Sequence, residues 1–322
     1  MKTRLLIVGC GNTGLQVLEQ LAGRMRVYAL TSRPERAAEL RAHGALPLVG
    51  DLDRPATLAR LRGLADRILV LAPPPGEGDA DPRSRALAAL LRRPAPRAIV
   101  ANRTRLRPGR PRPAQAGARV VVYASTTGVY GDVQGRRLAE SAPLRPQSAR
   151  ARRRVAAEAV WRAAAPARAR QPHLELPRWR ATVLRIPGIY GRGRLPLERL
   201  RKGLPRLAPA DDVYTNHIES GDLARACLAA LWRGRPQRIV HAADGQDLKM
   251  GDYFDAVADA AGLPRPPSLP AAGVRAAVSP AMWSFMQESR RLDNRRLVTE
   301  LRVRLRHPTV RHALDAWYRP AG

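Results

Sequence analysis

Leu5-Leu6-Ile7-Val8-Gly9-Cys10-Gly11-Asn12-Thr13-Gly14 runs from an unbroken apolar stretch into glycines spaced G-x-G-x-x-G, and Leu15, Val17, Leu18 and Leu21 then recur on one helical face. The order is strand, tight turn, helix. Each glycine has its own task in such a unit: Gly9 permits the turn, Gly11 lets the backbone approach a pyrophosphate, and Gly14 lets the helix pack closely on the strand. The helix start, with Asn12 and Thr13 in its first turn, is left to face phosphates, because its backbone N–H groups have no intrahelical partner. A second apolar run, Val27 to Leu30, follows the helix. A glycine motif in that context predicts a dinucleotide site.

The end of the second run bears on the cofactor. An NAD site places Asp or Glu about twenty residues beyond the glycines, on the ribose hydroxyls, whereas arginine there suits a 2′-phosphate. Here the sequence reads Thr31-Ser32-Arg33. Ser32 and Arg33 therefore favour NADP over NAD, the alternative being that Arg33 is an ordinary solvated side chain.

Ala45 to Val49 and Arg67 to Ala72 read as a third and fourth strand, with helical patterns at Arg36 to Ala42 and Ala56 to Leu61 between them. This alternation predicts a doubly wound parallel α/β sheet. Asp51 and the run Ala72-Pro73-Pro74-Pro75-Gly76 follow the strands at the edge where such sheets bind ligands, so Asp51, Ala72 and Pro73 join the candidate cofactor contacts. Residues 92–119 interleave prolines with arginines and read as an extended or flexible insertion, with a short apolar piece at Ala98 to Ala101. Strands return at Val120 to Tyr123 and Ala181 to Ile186, separated by a long helix, Ser148 to Ala165, and a loop rich in Pro and Arg.

The chain has 322 residues, 45% of them hydrophobic, enough for a sizeable core. Its formal charge is +30, and all but three of its 57 basic residues are arginine, scattered and not interleaved with aromatics. That distribution argues against a specific nucleic-acid site, although nonspecific binding at low salt follows from the charge. Cys10 and Cys227 are too few for a disulfide framework, and His307 and His312 lack metal-ligand spacing, so no metal is expected. The chain opens on a core strand without a signal-peptide pattern, and no apolar run reaches the roughly eighteen residues that span a bilayer. A cytoplasmic location is expected, with no membrane partner.

Four segments in order carry a resemblance to the extended short-chain dehydrogenase/reductase family, of the NAD-dependent epimerase/dehydratase type, and to its atypical members. They are Gly9 to Gly14, Tyr123 to Asp132, Leu184 to Gly191 and Asn216 to Ala224. The resemblance implies a Rossmann domain at 1–190, returning at 217–243, and a smaller substrate domain at 191–216 and 244–322, with helices near Tyr253 to Ala261 and Pro280 to Leu292. It adds Pro187 to the cofactor contacts. It places Thr126, with Thr127 and Ser125 as neighbouring alternatives, where a hydroxyl orients the substrate oxygen, and Tyr130 in a motif position that packs more than it reacts.

The family's tyrosine and lysine, four residues apart at the start of the long helix, map onto Arg150 and Arg154. Arginine stays protonated at any working pH and cannot serve as general acid or base. Arg154 can supply the lysine's charge and Arg150 can clamp an anion, while His217, Tyr214 and Glu140 are the remaining titratable candidates, His217 foremost. The expectation is an NAD(P)-binding oxidoreductase or epimerase-like protein acting on a small polar substrate, or else a nonenzymatic NADP(H) sensor that has lost the tyrosine and lysine. The oligomeric state stays open, with a homodimer as the candidate.

Overall fold

The computed structural model describes residues 3–93, 119–164 and 179–318. All of the expected insertion but its ends, the apolar piece at 98–101 and most of the loop after the long helix lie outside the described residues. The chain divides into two compact units, residues 1–125, 148–184 and 224–239 in the first and 126–147, 185–223 and 240–322 in the second.

Seven strands make one sheet: β1 (Arg4–Val8), β2 (Arg26–Thr31), β3 (Ala45–Val49), β4 (Arg67–Val70), β5 (Arg119–Thr126), β6 (Trp179–Ile186) and β7 (Arg238–His241). Their order is β7-β6-β5-β4-β1-β2-β3, and the pairs from β3 through β2, β1 and β4 to β5 are parallel. This is the doubly wound Rossmann-like arrangement that the strand-helix alternation predicts. Leu5 to Val8 and Val120 to Tyr123 are buried, as expected of strands covered on both faces. The chain moves outward from β1 to β2 and β3, then restarts on the other side at β4. The carboxyl ends of β1 and β4 thus bound the switch point, where open α/β sheets hold ligands.

Helix α1 (Asn12–Leu21) buries Gly14, Val17, Leu18 and Leu21, while Leu15 is only half-buried. Helix α2 (Ala37–Ala42) follows β2. Helix α3 (Pro82–Arg92) starts where Asp81 accepts a hydrogen bond from the Ser84 N–H at 3.0 Å and Pro82 fills the first helical position. Helix α4 (Ala149–Ala164) is joined to α3 by the fully buried Trp161, whose indole N–H donates to Ser84 Oγ at 3.0 Å. The pattern at Ala56 to Leu61 is a 3₁₀ segment, Pro55–Leu61, and not an α-helix.

The second unit is built from short paired strands and helices. Gly188–Tyr190 pairs in parallel with His217–Glu219, and Arg137–Leu138 with Arg291–Leu292. Helix α5 (Ser220–Arg233) begins in this unit and runs on into the first from Ala224, and helices α6 (Met250–Ala260), α7 (Ala271–Ala277), α8 (Pro280–Met286) and α9 (Val310–Tyr318) follow. Tyr190, Leu200, Val257, Val274, Met286 and Leu314 share its core.

Two expectations change here. The helix expected at 280–292 stops at Met286, because the next backbone groups are claimed elsewhere: Ser289 N–H donates to Asp132 at 2.8 Å and Arg291 N–H to the Arg136 carbonyl at 3.1 Å. Residues 126–147, 185–190, 217–223 and 240–243, expected in the first domain, cluster with the second unit. The 291–292 strand pairing and the bond from Tyr130 to His241 at 2.6 Å account for the first of these.

Candidate functional site

A cavity of about 350 Å³ opens at the carboxyl edge of the first unit's sheet. Of the residues singled out as cofactor contacts, Gly9, Gly11, Ser32, Arg33, Asp51, Ala72 and Pro73 line it. Asn12, Thr13 and Gly14 lie in the first turn of α1 but are not among its lining residues, and Pro187 follows β6 in the second unit.

The three glycines are required for three different reasons. Gly9 has φ +84°, and a Cβ there would stand 2.6 Å from the Ala72 backbone nitrogen, so the end of β1 is pressed against the end of β4. At Gly14 a Cβ would stand 2.8 Å from Cys10 Sγ, which is the close helix-on-strand contact. At Gly11 a Cβ would find no described atom within 4 Å. Gly11 is thus not needed by the protein's own packing; a side chain there would project into open space at the start of α1. That is the cradle a pyrophosphate needs.

Three arginines line the cavity, Arg33, Arg36 and Arg83, against one carboxylate, Asp51. Arg33 is exposed, and its N–H donates to Thr31 Oγ1 at 3.2 Å, which turns the chain at the end of β2. Arg36 is held: it donates to the Cys10 carbonyl at 2.8 Å and to Glu39 at 2.8 Å. Asp51 Oδ1 accepts from the Asp53 N–H at 3.0 Å, so half of its carboxylate already shapes a turn. The buried Cys10 thiol also lines the cavity, and burial pushes its pKa up to about 11, so it is no nucleophile at neutral pH. Sequence reasoning missed Cys10, Arg36 and Arg83. Arg36 lies three residues beyond Arg33, within reach of pattern reading, but Arg83 is placed by a partner thirty residues away.

At the helix that normally carries the tyrosine and lysine, Arg154 donates to the Ala124 carbonyl at 2.6 Å and to the Tyr123 hydroxyl at 3.0 Å. It fastens the end of β5. Burial raises the Tyr123 pKa to about 12 despite that neighbouring cation, so this phenol keeps its proton. Arg150 is exposed at the start of α4. Ser125 is buried and donates to Glu158 at 2.5 Å.

In the second unit, Thr126 Oγ1 accepts from the Gly128 N–H at 3.3 Å, capping the turn and leaving its O–H to donate. Thr127 is buried, and its carbonyl accepts from Arg290 at 3.3 Å. Tyr130 is fully buried. Its hydroxyl accepts from Arg185 at 2.7 Å and meets His241 Nε2 at 2.6 Å, while His241 Nδ1 donates to the Asp293 carbonyl at 2.9 Å. Glu140 accepts from the His241 N–H at 3.2 Å and pairs with Arg296 at 3.3 Å.

His217 does not fit a proton-transfer role. It is stacked on Tyr253, with ring centroids 4.2 Å apart, and set edge-on to Tyr190 at 6.1 Å. Burial lowers its pKa to about 3, so it stays neutral at any working pH and is a feeble base. Its neighbours in the motif are structural as well. Asn216 bridges the Arg290 carbonyl and the Leu292 N–H, and Asp222 accepts the N–H groups of Arg306 and His307, each at 2.8 Å. Tyr214 is half-buried under Lys249 and Arg291, at 4.3 and 4.9 Å from its ring. Among the described residues no group of His, Cys, Asp and Glu could hold a metal ion, and no helix is long and apolar enough to cross a membrane.

Comparison with known proteins places this geometry. The family model of the TrkA-N domain matches residues 5–124. A conserved protein of unknown function from Silicibacter pomeroyi is 30% identical, over 98% of this chain and 97% of its own, with a TM-score of 0.71. The human epimerase family protein SDR39U1 (isoform 2), solved with NADPH, is 19% identical over 98% of this chain and 98% of its own, with a TM-score of 0.65. UDP-glucuronic acid 4-epimerase from Bacillus cereus, solved with NAD, is 13% identical over 98% and 97%, with a TM-score of 0.67. No curated protein sequence matches.

Proposed function

Since this chain belongs to one family with the Silicibacter pomeroyi protein, built on the fold of the extended short-chain dehydrogenases and NAD-dependent epimerases, we propose that it binds NADP(H) and acts as an atypical oxidoreductase or epimerase-like enzyme on a small polar substrate. The carrying observation is the cavity itself. It joins an open cradle at Gly11 to three arginines and a single carboxylate, and no acidic residue stands at the end of β2. Gly9, Gly11 and the start of α1 would hold the pyrophosphate, Arg33 the 2′-phosphate and Asp51 the adenosine. When bound, the nicotinamide supplies the hydride chemistry.

Cofactor preference is tested by calorimetry with NADPH and NADH. Arg33→Ala is expected to weaken NADPH by roughly 1.5 to 3 kcal/mol, the scale of a hydrogen bond to a charged group, and to leave NADH nearly unchanged. Equal losses for both cofactors would remove Arg33 from the 2′-phosphate.

Arg154's engagement with Ala124 and Tyr123 favours a second reading, a nonenzymatic NADP(H) sensor, since the lysine's position is given over to holding β5. The two readings part on turnover. For an enzyme, wild type oxidises NADPH or reduces NADP⁺ with some member of a panel of aldehydes, ketones, alcohols and sugar derivatives. Thr126→Val then lowers kcat at least tenfold with cofactor affinity near wild type. For a sensor, wild type binds tightly without turnover, and the double variant Arg150→Tyr/Arg154→Lys gains activity.

A further inference from the structure

Arg83, in the first turn of α3, lines the cavity without any part in the glycine motif. Its Nε donates to Asp53 Oδ1 at 2.7 Å and its Nη2 to Asp53 Oδ2, while Nη1 donates to the Pro73 carbonyl at 3.2 Å and the Pro74 carbonyl at 3.4 Å. Two edges of the guanidinium are therefore occupied, one by a carboxylate and one by backbone carbonyls. A planar cation held by its edges keeps its faces for stacking. Arg33 is the opposite case: among the described residues its guanidinium has no recorded hydrogen bond, and its fork is left for a phosphate.

The anchors are also informative in their placement. Asp53 lies beyond β3, and Pro73 and Pro74 lie beyond β4, yet β1 and β2 stand between those two strands in the sheet. One guanidinium reaches the carboxylate and both carbonyls at once, so the loops that follow β3 and β4 converge on it at the cavity. The glycine turn after β1 and Thr31-Ser32-Arg33 after β2 line the same cavity. A flat group seated in that cavity can stack on a face of the guanidinium, whose edges are taken. The flat group of a dinucleotide at this end is its purine.

We propose that Arg83 is the stacking platform for the adenine of the bound dinucleotide, with Asp53 as the positioning residue that holds the guanidinium flat. The role rests on the cofactor reading above and adds base recognition to it, distinct from the phosphate contact assigned to Arg33.

The experiment titrates 5′-AMP, 2′,5′-ADP and NADPH into wild type, Arg83→Met, Arg83→Lys and Asp53→Asn, at low and high salt, with thermal melts to confirm folding. Loss of the stacked plane in Arg83→Met is expected to weaken all three ligands about tenfold, equally at both salt concentrations. Arg83→Lys keeps the charge but loses the plane, and is expected to fall nearly as far. Asp53→Asn alters an exposed residue outside the cavity lining, and is expected to cost about threefold because a carboxamide oxygen holds the fork less firmly. Full retention in Arg83→Met, rescue by Arg83→Lys, or a loss that fades at high salt would overturn the proposal and make Arg83 a bystander or a plain phosphate contact. If Arg83→Met fails to fold, an unchanged affinity in Asp53→Asn overturns it instead. A wild type that binds none of the three ligands refutes the cofactor reading itself, an outcome separable from all of these.

Discussion

Gly11→Val is expected to abolish NADPH binding while leaving the protein folded. Gly11 has φ −82°, which any residue adopts, and a Cβ there meets no described atom within 4 Å. The free protein therefore has room for valine, and the cost is confined to a poorer helix N-cap, up to about 1 kcal/mol. The same space is what a pyrophosphate needs in order to reach the first N–H groups of α1, and an isopropyl group placed there excludes it. Calorimetry should show no NADPH binding at concentrations that saturate wild type, with a melting temperature within a few degrees. Gly9→Ala is the informative contrast: with φ +84° and a Cβ 2.6 Å from the Ala72 nitrogen, it should lower the melting temperature outright. An affinity for NADPH in Gly11→Val within threefold of wild type would take the pyrophosphate away from this turn.

What could be read from the sequence follows how local each determinant is. The strand-turn-helix unit at Leu5 to Leu21 is written within seventeen residues, and Gly9, Gly11, Ser32, Arg33, Asp51, Ala72 and Pro73 all follow strand ends whose positions come from apolar runs. That is why these seven positions meet around one cavity. Arg83 has no such signal, because Asp53 and the two proline carbonyls that aim it belong to other loops. The helix expected at Pro280 to Leu292 shows the same limit, since its second half is drawn away by strand pairing with Arg137–Leu138, a partner some 150 residues earlier. From sequence alone His217 reads as a structural histidine or a proton carrier, because imidazole titrates near neutrality. Only the packing of Tyr190 and Tyr253 around it reveals that burial has taken that property away.

Asp244→Asn is expected to stabilise the protein at neutral pH, by a margin that grows until the pH reaches about 8. Asp244 is buried in the second unit; Oδ1 accepts from the Gln246 N–H at 3.1 Å, while Oδ2 has no hydrogen-bond partner among the described residues. Burial, reinforced by the nearby Asp222 carboxylate, raises its pKa to about 8, so the folded protein keeps this proton at neutral pH. The unfolded chain loses it near the ordinary value of 3.8. Between those two values the folded state binds more protons than the unfolded state, so stability falls as pH rises, by about 1.4 kcal/mol per unit. The stabilising contribution of the protonated acid is full below pH 3.8 and gone once pH has risen through 8. Asparagine keeps the oxygen that accepts from Gln246 but cannot ionise, and its buried amide N–H₂ lacks a partner, at a cost of about 1 to 3 kcal/mol. The variant should therefore melt at or below the wild-type temperature at pH 4, cross it between about pH 4.5 and 6, and exceed it by several degrees at pH 8. Melting wild type and variant side by side across that range isolates the Asp244 proton, because every other titrating group is common to both. A difference between them that stays flat with pH would mean that Asp244 is already ionised in the folded protein.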